Sequence, residues 1–477
     1  MPADFDKKWK VFFLVATSIF MSTLDSSIVN VALPFMMQDL LTNMTTIQWV
    51  VIIYLMTVSS LLLSFGRLSD IRGKKLVYVL GFTIFIIGSG ACGFAPSPPV
   101  LICARGLQGI GASMLMACSP ALVVDAFPPQ ERGKALGLIG AVVAAGLTTG
   151  PVLGGFILEY LSWRSIFYIN IPIGLTAVVM GMKILDTDHF SKGSNEPLDK
   201  AGSLLLILAI SSLVVLMTQL NNWGIFSIHS AVMAVICISA GAGFVFNEHN
   251  TRYPLFDMAL LKIRLFVFPV VSAGFMFAGL FIIVFMMPFY LIYPCGFAAS
   301  KTGTIMIVPF LFLLFVSPVS GILYNRFGSR KLCLLGMGCM GLSQFSLMYI
   351  QPDMPVVSIL WRISLAGLGT ALFVSPNNTA IMSAVSVSCR GIASGAVATA
   401  RNLGMVIGVA LAGLVFSSSF LKFTNGIALE NYLKEMEPWF MVSFHRTMVM
   451  GVILSVFGIA ITFFRGPENL DLLKSEK

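Results

Sequence analysis

Residues 21–34, MSTLDSSIVNVALP, place one carboxylate, Asp25, inside an apolar run that begins near Val11. An ionisable side chain near the middle of a bilayer costs at least about 2.5–3.5 kcal/mol, so such residues usually serve transport or proton relay. Each of the other twenty acidic residues lies in a loop or at the end of an apolar run. We therefore interpret the rest of the chain around Asp25.

Small and polar side chains share one face of the predicted helix with Asp25. At 100° per residue they fall within about 60° of it, and they are Ser18, Met21, Ser22, Val29 and Ala32. A face of this composition suits a water-filled cavity better than lipid. We therefore expect Asp25 to border an aqueous path.

The composition is that of an integral membrane protein. Of the 477 residues, 57% are hydrophobic and only 11% are charged, with a mean hydropathy of +0.91, whereas soluble proteins carry about 25% charged residues. The net charge of +9 would suggest nucleic acid in a soluble domain, but in a membrane protein an excess of Lys and Arg marks cytoplasmic loops. We expect a multi-pass protein of the cell (inner or plasma) membrane that binds no nucleic acid.

The sequence indicates no metal site, cofactor or enzyme chemistry. The eight cysteines lie in or beside apolar runs without a C-x-x-C pair, and the four histidines are scattered without ligand spacing. There is no nucleotide-binding loop and no Ser/His/Asp or Cys/His set in plausible register. We therefore expect a protein that is not an enzyme and that needs no cofactor.

Fourteen apolar runs are long enough to cross a bilayer, which takes about twenty residues. They lie near residues 11–33, 46–65, 76–95, 99–124, 135–158, 166–185, 201–220, 228–246, 265–290, 302–322, 331–350, 354–378, 394–419 and 446–465. With both termini placed in the cytoplasm, 22 of the 30 Lys and Arg residues fall in cytoplasmic segments, 5 outside and 3 within the runs. This bias predicts fourteen spans with both termini cytoplasmic.

An internal repeat relates the first six spans to the last six. Sequence pairs recur 255 to 258 positions apart. They are Gly66/Gly321, Leu68/Leu323, Gly73/Gly328, Lys75/Arg330, Gly81/Gly336, Arg105/Arg362, Arg132/Arg390, Gly133/Gly391, Gly137/Gly395 and Gly146/Gly404. The repeat predicts an all-α membrane protein with six-helix bundles at 1–185 and 265–477, and with cytoplasmic linkers and two inserted spans at 186–264. Such repeats place the binding site between the halves, which rock to alternate access.

Six stretches together resemble the major facilitator superfamily, and specifically its fourteen-span drug:H+ antiporter family. They are LDSSIVNVALP at 24–34, GRLSDIRGKK at 66–75, RGLQGIGAS at 105–113, ERGKALG at 131–137, GLTTGPVLGG at 146–155 and WRSIFYINIPIG at 163–174. The resemblance covers essentially the whole chain. It implies the major facilitator fold and proton-coupled export of drugs.

The segment 66–75 joins the second and third predicted spans and contains Gly66, Asp70, Arg72, Gly73 and Lys74. Its glycines permit a tight turn, and its basic residues can also be explained by topology alone. The resemblance implies that Asp70 bridges to the other half as a cytoplasmic latch and stabilises the outward-facing state. The sequence differs from the family pattern here, because Ile71 stands where an Arg usually follows the Asp and Lys74 replaces the next Arg.

Arg105 and Asp25 are expected at similar depth, about 10–12 Å from the outer end of their spans at 1.5 Å per residue. The two side chains could therefore meet. A nearby cation favours the charged carboxylate and burial favours the neutral acid, so a group held between them can load and release a proton. A static pair that only holds helices together is the alternative. The resemblance assigns Arg105 to proton coupling.

Glycines recur every fourth residue along the fifth span. Gly146, Gly150 and Gly154 form one stripe, with Pro151 and Gly155 beside it. Such a stripe allows close helix contact, and the proline removes one backbone hydrogen bond. Close packing alone would explain the glycines. The combination resembles the motif of exporters in the superfamily, and it implies that this helix is a gate between the halves.

Few polar residues are available to line a substrate cavity. The candidates are Asn30, Gln48, Tyr54, Gln108 and Asn377. The ninth span is rich in Phe and Met, which adapt to varied apolar ligands but are more often core or lipid contacts. No acid lies within any span of the second half, and relatives that carry divalent cations use an extra membrane acid. We therefore expect neutral, weakly basic or monocationic amphipathic substrates.

These observations together predict a proton-coupled exporter of lipophilic or amphipathic small molecules. Asp25 would carry the proton, Arg105 would tune it, and Asp70 would latch the cytoplasmic side. Export of a specific native metabolite or lipid-like molecule is one alternative. A membrane sensor or scaffold that does not transport is another, from a different class.

Overall fold

The structure is a computed structural model that describes residues 5–186, 197–224, 226–386 and 389–466, and within these residues every regular element is a helix. The α-helices are α1 (Phe5–Asp39), α2 (Met44–Ile47), α3 (Trp49–Arg72), α4 (Lys74–Gly93), α5 (Pro98–Ala126), α6 (Arg132–Tyr160), α7 (Ser165–Tyr168), α8 (Asn170–Ile184), α9 (Lys200–Trp223), α10 (Ile228–Asn250), α11 (Arg264–Ile292), α12 (Ala299–Met306), α13 (Val308–Leu347), α14 (Val356–Ala384), α15 (Arg390–Phe423) and α16 (Glu437–Phe463). Most of the predicted polar linker, at 187–196, lies outside the described residues.

Thirteen helices of the described chain are long and apolar enough to cross a membrane. Twelve correspond to one predicted run each, and the remaining helical stretch, Ala299–Leu347, contains two. The prediction of an all-α, multi-pass membrane protein is confirmed.

The long helix α13 reverses direction at Gly328, so its two arms are two spans. Ser320 Oγ donates to the Ala371 carbonyl at 2.7 Å, and Cys333 Sγ lies 3.6 Å from the Phe373 carbonyl oxygen. In a straight helix Ser320 and Cys333 would be about 20 Å apart, yet both contact the same turn of α14. Gly328, at φ 73° and ψ 164°, provides the reversal.

The same turn and the same packing occur in both halves of the chain. Gly73 has φ 93° and ψ 139° between α3 and α4, which matches the turn at Gly328. A Cβ on Gly111 would lie 2.6 Å from the Gly81 carbonyl oxygen, and a Cβ on Gly369 would lie 2.5 Å from that of Gly336. The sequence repeat therefore corresponds to a repeat of helix geometry.

We call α1–α8 the N-terminal half and α11–α16 the C-terminal half. Within the first, α5 packs against α1, α3 and α4, and α6 packs against α1. Within the second, α11 packs against α14, α15 and α16. The halves meet mainly where α6 packs against α12 and α13, α3 against α15, and α1 against α11. Of the inserted pair α9–α10, α9 lies against α3 and α15.

We expect Gly73→Ala and Gly328→Ala each to lower the free energy of unfolding by about 1–3 kcal/mol, because a side chain at such a positive φ is strained. The measurement is thermal unfolding of the purified protein in detergent. Gly338→Ala is the matched control, because an added Cβ there meets no atom within 4 Å and its backbone is helical. Equal melting temperatures for all three variants would refute the prediction.

Candidate functional site

Asp25 is fully buried in the middle of α1, where several donors surround its carboxylate. One oxygen, Oδ2, forms an ion pair with the Arg105 guanidinium of α5. The other oxygen, Oδ1, accepts hydrogen bonds from Gln108 Nε2 at 2.9 Å and from Asn170 Nδ2 at 3.2 Å. Charge-assisted hydrogen bonds of this kind replace the water that a charged carboxylate loses inside a membrane.

Arg105 is also held by groups other than Asp25. Its Nε donates to the Val50 carbonyl of α3 at 3.0 Å, and its Nη1 donates to Gln108 Oε1 at 2.6 Å. The guanidinium lies 4.2 Å from the centre of the Tyr54 ring, close enough for a cation–π interaction. The cation would therefore keep partners if Asp25 became protonated.

Ser89 of α4 forms hydrogen bonds with the amide side chains of both Gln108 and Asn170. Its Oγ accepts from Gln108 Nε2 at 3.3 Å and from Asn170 Nδ2 at 3.0 Å, and it donates to the Phe167 carbonyl at 2.8 Å. We call these residues the Asp25 cluster, which consists of Asp25, Tyr54, Ser89, Arg105, Gln108 and Asn170. All six belong to the N-terminal half and all are buried.

The structure brings Asp25 and Arg105 together, but it does not place the Asp25 face on an open aqueous path. All five residues of that face are at most 2% exposed. Ser18 Oγ, for example, lies 3.0 Å from Ser119 Oγ of α5. The expectation of a water-lined face is wrong for this conformation, because α5 covers that side of α1.

Two members of the cluster, Ser89 and Asn170, were missed by sequence reasoning. Asn170 lies in the quoted stretch 163–174, and Ser89 lies in the apolar run 76–95. Ser89 lies about 9 Å from the outer end of its predicted run, close to the predicted depth of Asp25, and that depth was the available signal for it. Asn170 is predicted at only about 6 Å, so depth alone would not have selected it. Tyr54 and Gln108, which we expected in a substrate cavity, belong to the cluster instead.

The glycine stripe of α6 lies against the part of α1 that carries Asp25. Gly146 packs against Thr23 and Gly150 against Ser27, the two α1 residues that flank Asp25. These contacts leave no room for a side chain on either glycine. A movement of this turn of α1 would therefore displace α6.

The same helix contacts the other half at its outer end. A Cβ on Gly155 would lie 2.6 Å from the Ala299 carbonyl oxygen and 3.0 Å from Ser300 Cα. Pro151, one turn earlier, has its carbonyl beside Gly303 of α12. Nearer the predicted cytoplasmic end, an added Cβ on Gly140 would meet no atom within 4 Å. The contact of α6 with α12 is thus at the predicted outer end.

Further contacts close the predicted outer side. Gln48 packs against Gly413 of α15, and Gln38 Nε2 lies 3.3 Å from the Tyr293 hydroxyl. Gln48, a predicted cavity residue, is therefore part of the contact between the halves.

Asp70, the proposed latch residue of the segment 66–75, forms no ion pair with the described residues of the C-terminal half. Lys74 forms an ion pair with Asp125 of α5, in its own half. Asp70 is exposed and makes no ion pair with any described residue. Arg72 is exposed, and Gly66 has open space around it. A latch role for Asp70 would need a conformation in which the cytoplasmic ends are closer.

The two remaining predicted cavity residues are also buried. Asn30 donates to the Ser26 carbonyl at 2.8 Å. Asn377 accepts from Arg465 Nη2 at 2.7 Å and donates to the Pro269 carbonyl at 3.0 Å. Asn377 therefore helps to satisfy a buried arginine in the C-terminal half, and it does not line an open cavity.

Comparisons with known proteins identify relatives along most of the chain. The Major Facilitator Superfamily model matches residues 15–409. Riboflavin transporter RibZ of Clostridioides difficile is 33% identical over 458 residues, which cover 96% of this chain and 97% of that protein. Multidrug resistance protein Stp of Mycobacterium tuberculosis is 33% identical over 409 residues, covering 85% and 75%. A crystal structure of the peptide transporter POT in complex with sulfate shares the fold, with a TM-score of 0.66 at 15% identity over 95% and 94% of the two chains.

We expect Gly155→Ala to weaken the outer contact by about 1–3 kcal/mol, because the added methyl group would overlap backbone atoms of α12 that cannot easily move. Hydrogen–deuterium exchange of residues 299–306 should become faster. Gly140→Ala on the same helix is the control and should leave this exchange unchanged. Slow exchange in both variants would show that the contact tolerates the methyl group.

Proposed function

The chain belongs to the Major Facilitator Superfamily and is a transporter of small molecules in the plasma membrane, and we propose that it exports lipophilic or amphipathic compounds in exchange for protons. The family assignment places it among transporters rather than enzymes. The direction, the coupling ion and the nature of the cargo are the parts that we propose.

The observation that carries proton coupling is the buried ion pair of Asp25 and Arg105. A carboxylate in the membrane interior can change its charge by binding a proton, and no other side chain of the Asp25 cluster does so as readily. Arg105 keeps the Val50 carbonyl, Gln108 and the Tyr54 ring as partners. Protonation of Asp25 would therefore break the ion pair without leaving the cation unsatisfied.

In this proposal α6 couples the protonation of Asp25 to the contact between the halves. Thr23 and Ser27 flank Asp25 and touch the glycine stripe, and Gly155 of the same helix touches α12. When Asp25 loses its charge, the pull of Arg105 on α1 weakens. A small shift of α1 would then move α6 against the other half, which supports alternating access by rocking of the halves. Asp70 would latch the cytoplasmic ends in the opposite conformation.

Export is supported by two features. The relative Stp is named a multidrug resistance protein, and the glycine stripe with Pro151 resembles the motif of exporters. The second half has Gly404 and Gly408 but no proline at the corresponding position. The proton would enter from outside, and the cargo would leave the cytoplasm or the inner leaflet.

We expect Asp25→Asn to abolish coupling while the protein stays folded. The amide keeps the shape of the carboxylate but can neither pair with Arg105 as an anion nor bind and release a proton. The assay is proton release from acid-loaded inverted vesicles on addition of a compound to which the protein confers resistance in a growth panel. Release should fall to the level of vesicles without the protein.

Asp39→Asn is the matched control for this experiment. Asp39 lies at the outer end of the same helix, where it pairs with Arg164 at 2.7 Å and accepts from Trp163. Its loss should leave coupled release intact. Full release in Asp25→Asn would exclude Asp25 as the proton carrier.

A second candidate function is the export of one native metabolite. It is favoured by the similarity to RibZ, which is named a riboflavin transporter. The alignment covers 97% of the length of RibZ, compared with 75% of the length of Stp. If a flat heteroaromatic metabolite is the cargo, uptake of riboflavin into inverted vesicles should saturate, and an excess of lipophilic drugs should not compete. Riboflavin fluorescence in washed vesicles measures this. Competition by several unrelated drugs would favour the multidrug function instead.

A further inference from the structure

Arg105, Arg362 and Arg401 lie well inside the predicted spans, away from their ends, and the first two have hydrogen-bond acceptors. Arg105 pairs with Asp25. Arg362 donates from Nε to the Ser346 carbonyl at 3.0 Å and from Nη1 to the Ser358 carbonyl at 2.6 Å. Intramembrane cations that lack such acceptors are rare and usually mark a functional site.

The third arginine, Arg401 of α15, has no such acceptor in the described part of the chain. Among the residues that the structure describes, none accepts a hydrogen bond from it, and its Nε is buried without a partner. Its guanidinium carbon lies 5.8 Å from the centre of the Phe277 ring of α11. The side chain as a whole is only partly buried. The guanidinium is thus a charged group that a ligand can reach.

Helix geometry shows where Arg401 points. Gly404 and Gly408 of α15 face α11, whereas Gly395 faces α3 and Gly413 faces Gln48 just before α3, both in the other half. At 100° per residue, Arg401 projects into the wedge between these two directions. The opposite side of α15 faces α9, where Asn221 donates to the Leu414 carbonyl. Arg401 is therefore directed between the halves, where a transporter of this architecture holds its cargo.

Two neighbouring side chains share the lack of partners. Thr399 Oγ1 and Asn402 Nδ2 are buried, and no described residue forms a hydrogen bond with either atom. Asn402 lies between Gly395, which contacts Leu63 of α3, and Gly413, which contacts Gln48 just before α3. At 100° per residue Asn402 projects about 100° from Arg401, toward α3, whereas Thr399 projects about 160° from it, to the other side of the helix. The Asn402 amide and the Arg401 guanidinium both donate, so the group that satisfies these two together is an acceptor with negative charge.

We propose that Arg401 binds an oxyanion of the transported molecule, so that the cargo is an amphipathic compound with a carboxylate, sulfonate or phosphate group. The Phe277 ring lies beside Arg401 at the edge of the apolar core. This inference rests on the proposed transport function and narrows its substrate class. It replaces the expectation of neutral, weakly basic or monocationic cargo, which considered only the absence of acids in the second half.

The test compares three probes that share one fluorophore and differ in charge, namely dansylglycine (anion), dansylglycinamide (neutral) and dansylcadaverine (cation). Binding to the full-length protein in nanodiscs of zwitterionic lipid is followed by dansyl fluorescence. We expect the wild-type protein to bind the anion at least about tenfold more tightly than the amide, because a charge-assisted hydrogen bond is lost with the amide. The cation should bind most weakly.

Three variants test whether Arg401 causes the preference for the anionic probe. Arg401→Gln should bind anion and amide equally, with unchanged affinity for the amide, which also shows that it is folded. Arg401→Lys should keep part of the preference. Arg446→Gln, an exposed residue of α16, lowers the net charge by the same amount and should bind as the wild type does. Absent or non-saturable anion binding by the wild-type protein, or a preference that survives Arg401→Gln, would overturn the inference.

Nanodiscs that contain the anionic lipid phosphatidylglycerol test whether Arg401 binds the cargo or a lipid headgroup. Loss of dansylglycine binding in this lipid, dependent on Arg401, would assign the site to a lipid headgroup and overturn the assignment to cargo. Unchanged binding supports it. Because no proton gradient is present, a failure of proton-coupled export would not alter these results, and a failure here would leave the role of Asp25 intact.

Discussion

A carboxylate inside a bilayer stays charged only if protein groups replace the water that it has lost. In this chain the replacement is the guanidinium of Arg105, with the amides of Gln108 and Asn170 on the second oxygen. The requirement fixes the arrangement of α1, α5 and α8 around one point. The backbone around Val50 and the Tyr54 ring of α3 then bring a fourth helix to the same place.

The glycines of α6 connect this point to the rest of the molecule. Close contacts at Gly146 and Gly150 join α6 to the turn of α1 that carries the charge, and Gly155 joins α6 to the C-terminal half. Packed interfaces of this kind transmit small displacements because they have no free volume to absorb them. The buried pair and the contact between the halves are therefore parts of one mechanical unit.

The two halves are related by sequence but differ in charge. The N-terminal half holds a cation with its anion, whereas Arg401 of the C-terminal half has no acid among the described residues near it. A cargo that supplied the missing negative charge would complete the second half as Asp25 completes the first. The entry of one proton and the exit of one anion would each make the inside more positive. The negative-inside membrane potential would therefore assist export.

Much of this architecture could be read from the chain because hydropathy, helical period and spacing are local properties. Run length predicted the spans, the repeated glycines predicted the paired turns at Gly73 and Gly328, and similar depth predicted that Asp25 and Arg105 could meet. The sequence by itself thus determined the membrane class and the isolated acid. Only the tertiary structure decided that Asn170 joins Asp25, that Asn377 binds Arg465, and that no described residue accepts a hydrogen bond from Arg401, because the face that one helix presents to another depends on the packing of all of them together.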